Sequence, residues 1–288
     1  MKKYVIYTAI VGNYDGIQQP IVTDDRFDYI LFSNDAKETS VGVWQVRPIN
    51  YENDDKIKIA RWVKTHPEQL LEGYEFSVWM DANIQIKTDY IYKRAFELFD
   101  KRVLISTVIH PIRNCIYKEL FVVYDFGLET ENTLLNWAKV LRRNHYPHNN
   151  GLHETNIMYR IHSQSVVEKL DGFWWRCIDK YSRRDQLSFN YALWKLNVNC
   201  GSLLPNGQSA FNSNDFNYIS HTNSKRKFFD RNTDFSLLRR YYLDLPKKKS
   251  EIESVYYKIF GMPFPKFWAF VYGQLYRLKF HWNRIKTK

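Results

Sequence analysis

An acid and an amide two residues apart close an apolar run: Phe76 to Met80 leads into Asp81, Ala82 and Asn83, and alternation resumes at Ile84 and Ile86. Such a run reads as a buried strand that delivers both side chains to its C-terminal edge, where open α/β sheets hold their ligands. Both side chains offer oxygen. Hard divalent cations such as Mg2+ or Mn2+ take oxygen ligands and share them with phosphates. The same pair also suits a plain strand-to-turn exit, where Asp and Asn are favoured.

Upstream, residues 54–72 switch to helical spacing. Ile57, Ala60, Trp62, Val63 and Leu70 line one side, and Lys56, Lys58, Arg61 and Lys64 gather on another. The cations form either a solvated face or a cover for a diphosphate bound beside Asp81. Further along, His110 precedes Pro111 and suits a turn whose backbone satisfies the ring, while Arg113 is spaced to pair with Glu119. Asn150 and Gly151 sit in a polar loop that runs on through Glu154. Ser182 followed by Asp185 resembles a capping box, a structural use for that acid. Glu154 and Asp185 both lie at loop-to-element junctions, where pocket residues concentrate.

These residues need a scaffold. Tyr4 to Val11 reads as a central strand closing on Gly12-Asn13-Tyr14-Asp15-Gly16, a turn that lets backbone approach a ligand. Asp28 to Asn34, Trp44 to Arg47, Val103 to Ile109 and Ile157 to Arg160 read as further strands. Tyr90–Phe99, Ile116–Tyr124, Asn132–His145, Val166–Ile178 and a segment opened by Ser182 read as helices. Strands alternating with helices argue for an α/β chain with a mainly parallel sheet and helices on both faces.

The net charge of +11 is concentrated rather than spread. Residues 222–288 hold 16 Lys and Arg against 5 Asp and Glu, so the remainder is neutral. A neutral body with a basic tail argues against a nucleic-acid binder, and no recognition motif is present. Two domains are expected, 1–221 as the catalytic body and 222–288 as a basic, aromatic extension. In that tail Trp268, Val271, Leu275, Leu278, Trp282 and Ile285 form one apolar stripe flanked by cations. Such a helix suits an anionic membrane interface, or else packs on the body or in a homo-oligomer. Cys115, Cys177 and Cys200 form no CxxC pair. That spacing, with no signal peptide and no stretch long enough to span a bilayer, points to the cytoplasm, peripheral at the inner membrane face.

Six ordered blocks then resemble the glycosyltransferase-like family first catalogued as domain of unknown function 616, found in bacterial polysaccharide clusters and plant Golgi proteins. They are Tyr7 to Asp15, Asp28 to Ser33, Trp79 to Ile84, His110 to Glu119, Gly151 to Asn156 and Arg184 to Phe189. More distantly the layout is similar to GT-A glycosyltransferases of the family-eight galactosyltransferase type. That resemblance implies a GT-A-like, Rossmann-related fold. It makes Thr8, Ala9, Gly12, Tyr14 and Asp15 a nucleotide site, with Lys56, Arg61 and Lys64 as supplements. It makes Asp81, Asn83 and His221 the metal ligands, Asp185 and Gln186 the reacting edge, and His110, Arg113, Asn150 and Gly151 substrate contacts. Asn83 stands where the family has a second Asp, which removes a charge from the metal site.

The chemistry expected is metal-dependent transfer from a nucleotide sugar, a UDP-sugar first, to a glycan or lipid-linked acceptor in surface polysaccharide synthesis. Asp185 or Glu154 could act as base for an inverting enzyme. The Asp185-Gln186 resemblance favours a retaining one. A metal-dependent hydrolase of a lipid or sugar, and a non-catalytic nucleotide-sugar-binding module, are the alternatives.

Overall fold

The computed structural model describes residues 3–12 and 16–219. Tyr14, Asp15, His221 and the basic aromatic tail lie outside the described residues. In chain order the strands are β1 (Tyr4–Ala9), β2 (Phe27–Phe32), β3 (Ser40–Val41), β4 (Trp44–Arg47), β5 (Phe76–Met80), β6 (Ile84–Ile86), β7 (Ile105–Ile109), β8 (His153–Ile161), β9 (Gly201–Ser202) and β10 (Phe216–Tyr218). The helices are α1 (Lys56–Thr65), α2 (Pro67–Leu70), α3 (Tyr90–Asp100), α4 (Ile116–Asp125), α5 (Glu131–Arg143), α6 (Ser165–Lys180) and α7 (Gln186–Leu196).

Eight strands form one sheet in the order β3-β4-β2-β1-β5-β8-β7-β9, and β6 pairs with β10 in a second, two-stranded sheet. β4, β2, β1 and β5 run parallel, and β8 runs antiparallel between β5 and β7. The C-terminal ends of β1, β2, β5 and β7 therefore share an edge with the N-terminal end of β8. The chain leaves β1 towards β2 on one side and returns as β5 on the other, which makes a topological switch point at that edge. This is the mixed, mainly parallel sheet expected for a GT-A-like chain.

Alternation along the central strands feeds two cores. Ile6, Tyr29, Val78 and Tyr159 pack with Tyr92 and Ala95 of α3. Val5, Tyr7, Trp79 and Met158 face the other way onto Val63, Leu170 and Trp174 of α1 and α6. Burial on both faces explains why β1 and β5 read as nearly continuous apolar runs. Among the described residues no helix is long and apolar enough to cross a membrane.

Several boundaries differ from the expectations. The helix over 54–72 breaks at His66, because Pro67 cannot continue the hydrogen-bond ladder and begins α2 instead. Ile57 is 37% exposed rather than part of the apolar side. β8 begins at His153, four residues before the expected Ile157. Its polar first half is held by Thr107 Oγ1, whose one proton is shared between Glu154 O at 2.6 Å and Ile157 O at 2.7 Å across a bulge in the β7–β8 register. Ser182 does not open a helix. Its hydroxyl accepts from Arg184 N at 3.2 Å and donates to Glu129 at 3.1 Å. α7 begins at Gln186 with Asp185 as its cap, and that carboxylate makes no capping bond. The short strands β3, β9 and β10 had no periodicity long enough to signal them.

Candidate active site

The site forms where β5, the N-terminal half of β8, the end of α1 and the start of α7 meet. Trp79, the penultimate residue of β5, donates its indole N–H to Asp81 Oδ1 at 2.8 Å. The same oxygen faces Lys64 Nζ at 3.8 Å and Arg61 Nη1 at 3.9 Å. These contacts fix the carboxylate and leave Oδ2 without a partner among the described residues. Asp81 N donates to Asn156 O at 2.8 Å, which ties the turn to β8.

Lys64 is the central cation, and it is only 1% exposed. Its burial follows from the way α1 ends. The Lys64 carbonyl, in the last turn, accepts from Tyr7 OH at 3.1 Å and Arg160 Nη1 at 2.9 Å. A guanidinium at a helix C-terminus satisfies an orphan carbonyl and complements the dipole, so that turn is pinned to the sheet. Arg160, itself fully buried on β8, is balanced by Asp171 of α6 at 3.2 Å. At the other end of α1, Asp55 caps Ile57 N and pairs with Arg183 at 3.1 Å, and Lys58 pairs with Asp179 at 2.9 Å. The row of cations thus splits. Lys58 is a surface clamp, whereas Arg61 and Lys64 turn inward.

Asp185 receives them. Its Oδ2 accepts from Lys64 Nζ at 2.5 Å and Thr155 Oγ1 at 2.9 Å, and its Oδ1 lies 3.2 Å from Arg61 Nε. Burial pushes this carboxyl up, but Arg61, Lys64 and Arg184 outweigh it and hold it well below the usual carboxylate range. It also sits at the start of α7, where the helix dipole favours an anion. Asp185 is therefore a charged anchor and a weak proton acceptor. Gln186 follows it, and its side-chain amide makes no hydrogen bond among the described residues.

Glu154 is the opposite case. It is 8% exposed, its Oε2 is buried without a hydrogen-bond partner, and burial pushes its carboxyl up to about 7. Arg113 and Glu119, joined to each other by a short ion pair, act on it from nearby with opposite signs. His110 supports this corner as a turn residue, with Nδ1 accepting from Ile112 N at 3.2 Å and Arg113 N at 3.0 Å. Desolvation pushes its ring down to about 3, so it stays neutral. Gly151 has φ +80°, and a Cβ there would sit 3.3 Å from Asn190 Nδ2 of α7. Only a residue tolerant of positive φ passes that point easily. Asn150 beside it is exposed.

At the β1 end, Thr8 is 1% exposed and its hydroxyl is buried without a partner. Ala9 is half-buried. Gly12 takes φ +75°, and a Cβ there would lie 2.5 Å from Lys56 Cδ. Lys56 thus lies across the turn, and Gly12 N donates to Asp35. Asn83 is 3% exposed. Its side-chain Nδ2 donates to Ile219 O at 2.9 Å, and its backbone carbonyl accepts from Ile219 N at 2.9 Å.

The donors at the turn after β5 are oxygens, Asp81 Oδ2 and Asn83 Oδ1, the type a hard divalent cation takes. Among the described residues no group of three His, Cys, Asp or Glu could hold a metal. Thr155, Arg160, Asp171 and Arg184 were given no role from sequence. Arg160 left a signal, as a cation inside the run Ile157 to Ile161. Asp171 left a fainter one, on the buried side of α6 between Val167 and Trp174.

A family model described as "TOD1/MUCI70, glycosyltransferase-like domain" matches residues 1–220. Among solved structures the chain is similar to the apo form of the bifunctional glycosyltransferase WbbM, with 14% identity over 71% of this chain and a TM-score of 0.40. The chain spans 38% of that protein's length. It is also similar to core-mannan synthase A of Aspergillus fumigatus in its Mn/GDP form, at 11% identity over 67% of this chain and 70% of that one, TM-score 0.40. No curated protein matches.

Proposed function

Because the chain belongs to the TOD1/MUCI70 glycosyltransferase-like family, we propose that it transfers a sugar from a nucleotide-sugar donor, a UDP-sugar first, to a glycan or lipid-linked acceptor. One observation carries this reading. Arg61 and Lys64 converge with Asp81 and Asp185 at the switch-point edge of the sheet. Preorganised cations in a low-dielectric edge are what a departing diphosphate needs, because they stabilise charge as it develops.

In this reading the bond from the anomeric carbon to the phosphate oxygen breaks, and its electron pair stays on the diphosphate. Arg61 and Lys64 face that charge, while Asp185 holds both cations in place. Thr8 and Gly12 border the nucleotide, and Lys56 covers the turn beside them. Asp81 and Asn83 would hold a divalent cation, Mn2+ or Mg2+, with His221 as third ligand; such an ion neutralises charge on the leaving phosphates. Ile219 is hydrogen-bonded to Asn83 in both directions, which supports the Asn83 turn.

Retention is the primary stereochemical reading, with the unengaged Gln186 amide and Asp185 at the reacting edge. A second reading, inversion, is favoured by Glu154, whose carboxyl is pushed up to about 7 by burial and keeps Oε2 without a hydrogen bond, which suits a general base for an acceptor hydroxyl. Arg113, Asn150 and Gly151 then line the acceptor side.

The test is calorimetry and thermal shift with UDP-, GDP- and CDP-sugars, with and without Mn2+, on wild type and Asp81→Ala. Metal-dependent binding of one nucleotide class, lost in the variant, is expected. Hydrolysis of a lipid or sugar without any nucleotide would replace the transferase with a hydrolase, and tight nucleotide binding without turnover would leave a binding module. The anomeric proton of the product, read by NMR, separates retention from inversion.

A further inference from the structure

Arg184, directly before the anchoring Asp185, has no use in the fold that its contacts reveal. Its backbone N–H is bound by Ser182 Oγ, but its guanidinium makes no hydrogen bond and no ion pair among the described residues. It lies within electrostatic reach of Asp185, Glu119 and Asp81, and of Arg61, which repels it. Every neighbouring charge is already matched. Asp185 is taken by Lys64, Arg61 and Thr155, Glu119 is taken by Arg113, and Asp81 faces Arg61 and Lys64. Three cations therefore surround two carboxylates at this edge, and the surplus charge sits on the side chain with no partner.

A half-buried guanidinium keeps its proton, and an anion that displaces the water around it gains charge-assisted hydrogen bonds. Its planar fork matches two phosphate oxygens. The partner it would take is therefore anionic, in reach of the charges of Asp185, Glu119 and Asp81.

We propose that Arg184 is a built-in diphosphate ligand, which lets this site hold a diphosphate group without a divalent cation. The proposal deepens the transferase reading and rests on it for the nucleotide, but not for the phosphates. A site with this cation surplus binds pyrophosphate when metal is chelated, and a divalent ion at Asp81 adds affinity instead of creating it. Asn83 is neutral and leaves Asp81 as the one carboxylate at the turn after β5, so more of the phosphate charge is left to be met by side chains.

The experiment is isothermal titration of the full chain with inorganic pyrophosphate and with UDP, in EDTA and in Mn2+, on wild type, Arg184→Gln, Arg184→Lys and Asp81→Ala, each checked for an unchanged melting transition. Wild type is expected to bind pyrophosphate in EDTA, Arg184→Gln to bind it at least tenfold more weakly, and Arg184→Lys to recover part of the loss. Asp81→Ala should lose the gain from Mn2+. Equal pyrophosphate affinity in wild type and Arg184→Gln, or no wild-type binding without metal, overturns the proposal. Pyrophosphate binding with no preference for UDP over it would sink the nucleotide-sugar reading while leaving Arg184 in its role.

Discussion

Two carboxylates at one sheet edge are driven in opposite directions by their surroundings, and each direction has a measurable consequence. Asp185 is buried but held ionised by Arg61 and Lys64. Its folded pKa lies below its unfolded value, so its contribution to stability is complete above about pH 4 and is lost only as pH falls through the depressed folded value. Asp185→Asn would strand the Lys64 charge in a site that is 1% exposed, and removing one partner of a buried pair costs about 3–5 kcal/mol. Urea unfolding should show that loss in the single variant and a smaller one in Lys64→Met/Asp185→Asn, where no charge is stranded. Glu154, raised to about 7 by burial, behaves the other way. Its neutral form favours folding fully below about pH 4, and that advantage is lost as pH rises towards 7. Glu154→Gln should therefore stabilise the protein above pH 7, by up to about 3 kcal/mol. If Glu154 is the base, the same variant loses turnover, and wild-type kcat/KM should fall below a pKa near 7.

At the scale of elements, the strands that hold the site were the legible part, since β1, β2 and β5 are long apolar runs buried on both faces. The first half of β8 was hidden, because Glu154, Thr155 and Asn156 read as loop while tertiary contacts hold them as strand. The chemistry followed the same division. Asp81 and Asn83 stood out by position after an apolar run, but a helix-spaced row of cations cannot say which members turn inward. That choice is made by the end of α1, where Tyr7 and Arg160 take the Lys64 carbonyl, and this pairing joins residues 57 and 96 positions apart. The Arg160–Asp171 pair is thus a support for the site as well as for the fold. Asp171→Ala should cost about 3–5 kcal/mol by leaving Arg160 unpaired. Arg160→Met/Asp171→Leu should recover most of that stability, because apolar replacement of a buried pair is often neutral. It should not recover UDP affinity, since the Lys64 turn has lost one of its two donors and keeps only Tyr7. Equal UDP binding in the double variant and wild type would make the pair purely structural.

For the whole molecule, the charge distribution poses the remaining question. The body through residue 221 is neutral in sum, whereas residues 222–288 carry the entire +11 excess together with the stripe from Trp268 to Ile285. At physiological salt exposed charges are screened beyond about 8 Å. The tail's cations therefore act on something they touch. An acceptor carried on a lipid would place that surface beside the enzyme, and we propose that residues 222–288 hold the chain on an anionic membrane face, leaving the sheet edge to work on the acceptor there. Lys247, Lys248 and Lys249 test the electrostatic half of this idea and Trp268 and Trp282 the apolar half, each in the full chain. Sedimentation with vesicles of 30% phosphatidylserine at about 0.1 M salt should pellet the wild type. At about 1 kcal/mol per cation near such a surface, neutralising the three lysines to Gln should lower partitioning about 100-fold, and higher salt should do the same to the wild type. Trp268→Glu/Trp282→Glu should lower it at every salt concentration, since the loss is of buried apolar area. Wild type that stays in the supernatant, or lysine and tryptophan variants that pellet like wild type, would assign the tail to contacts within the protein or between its copies.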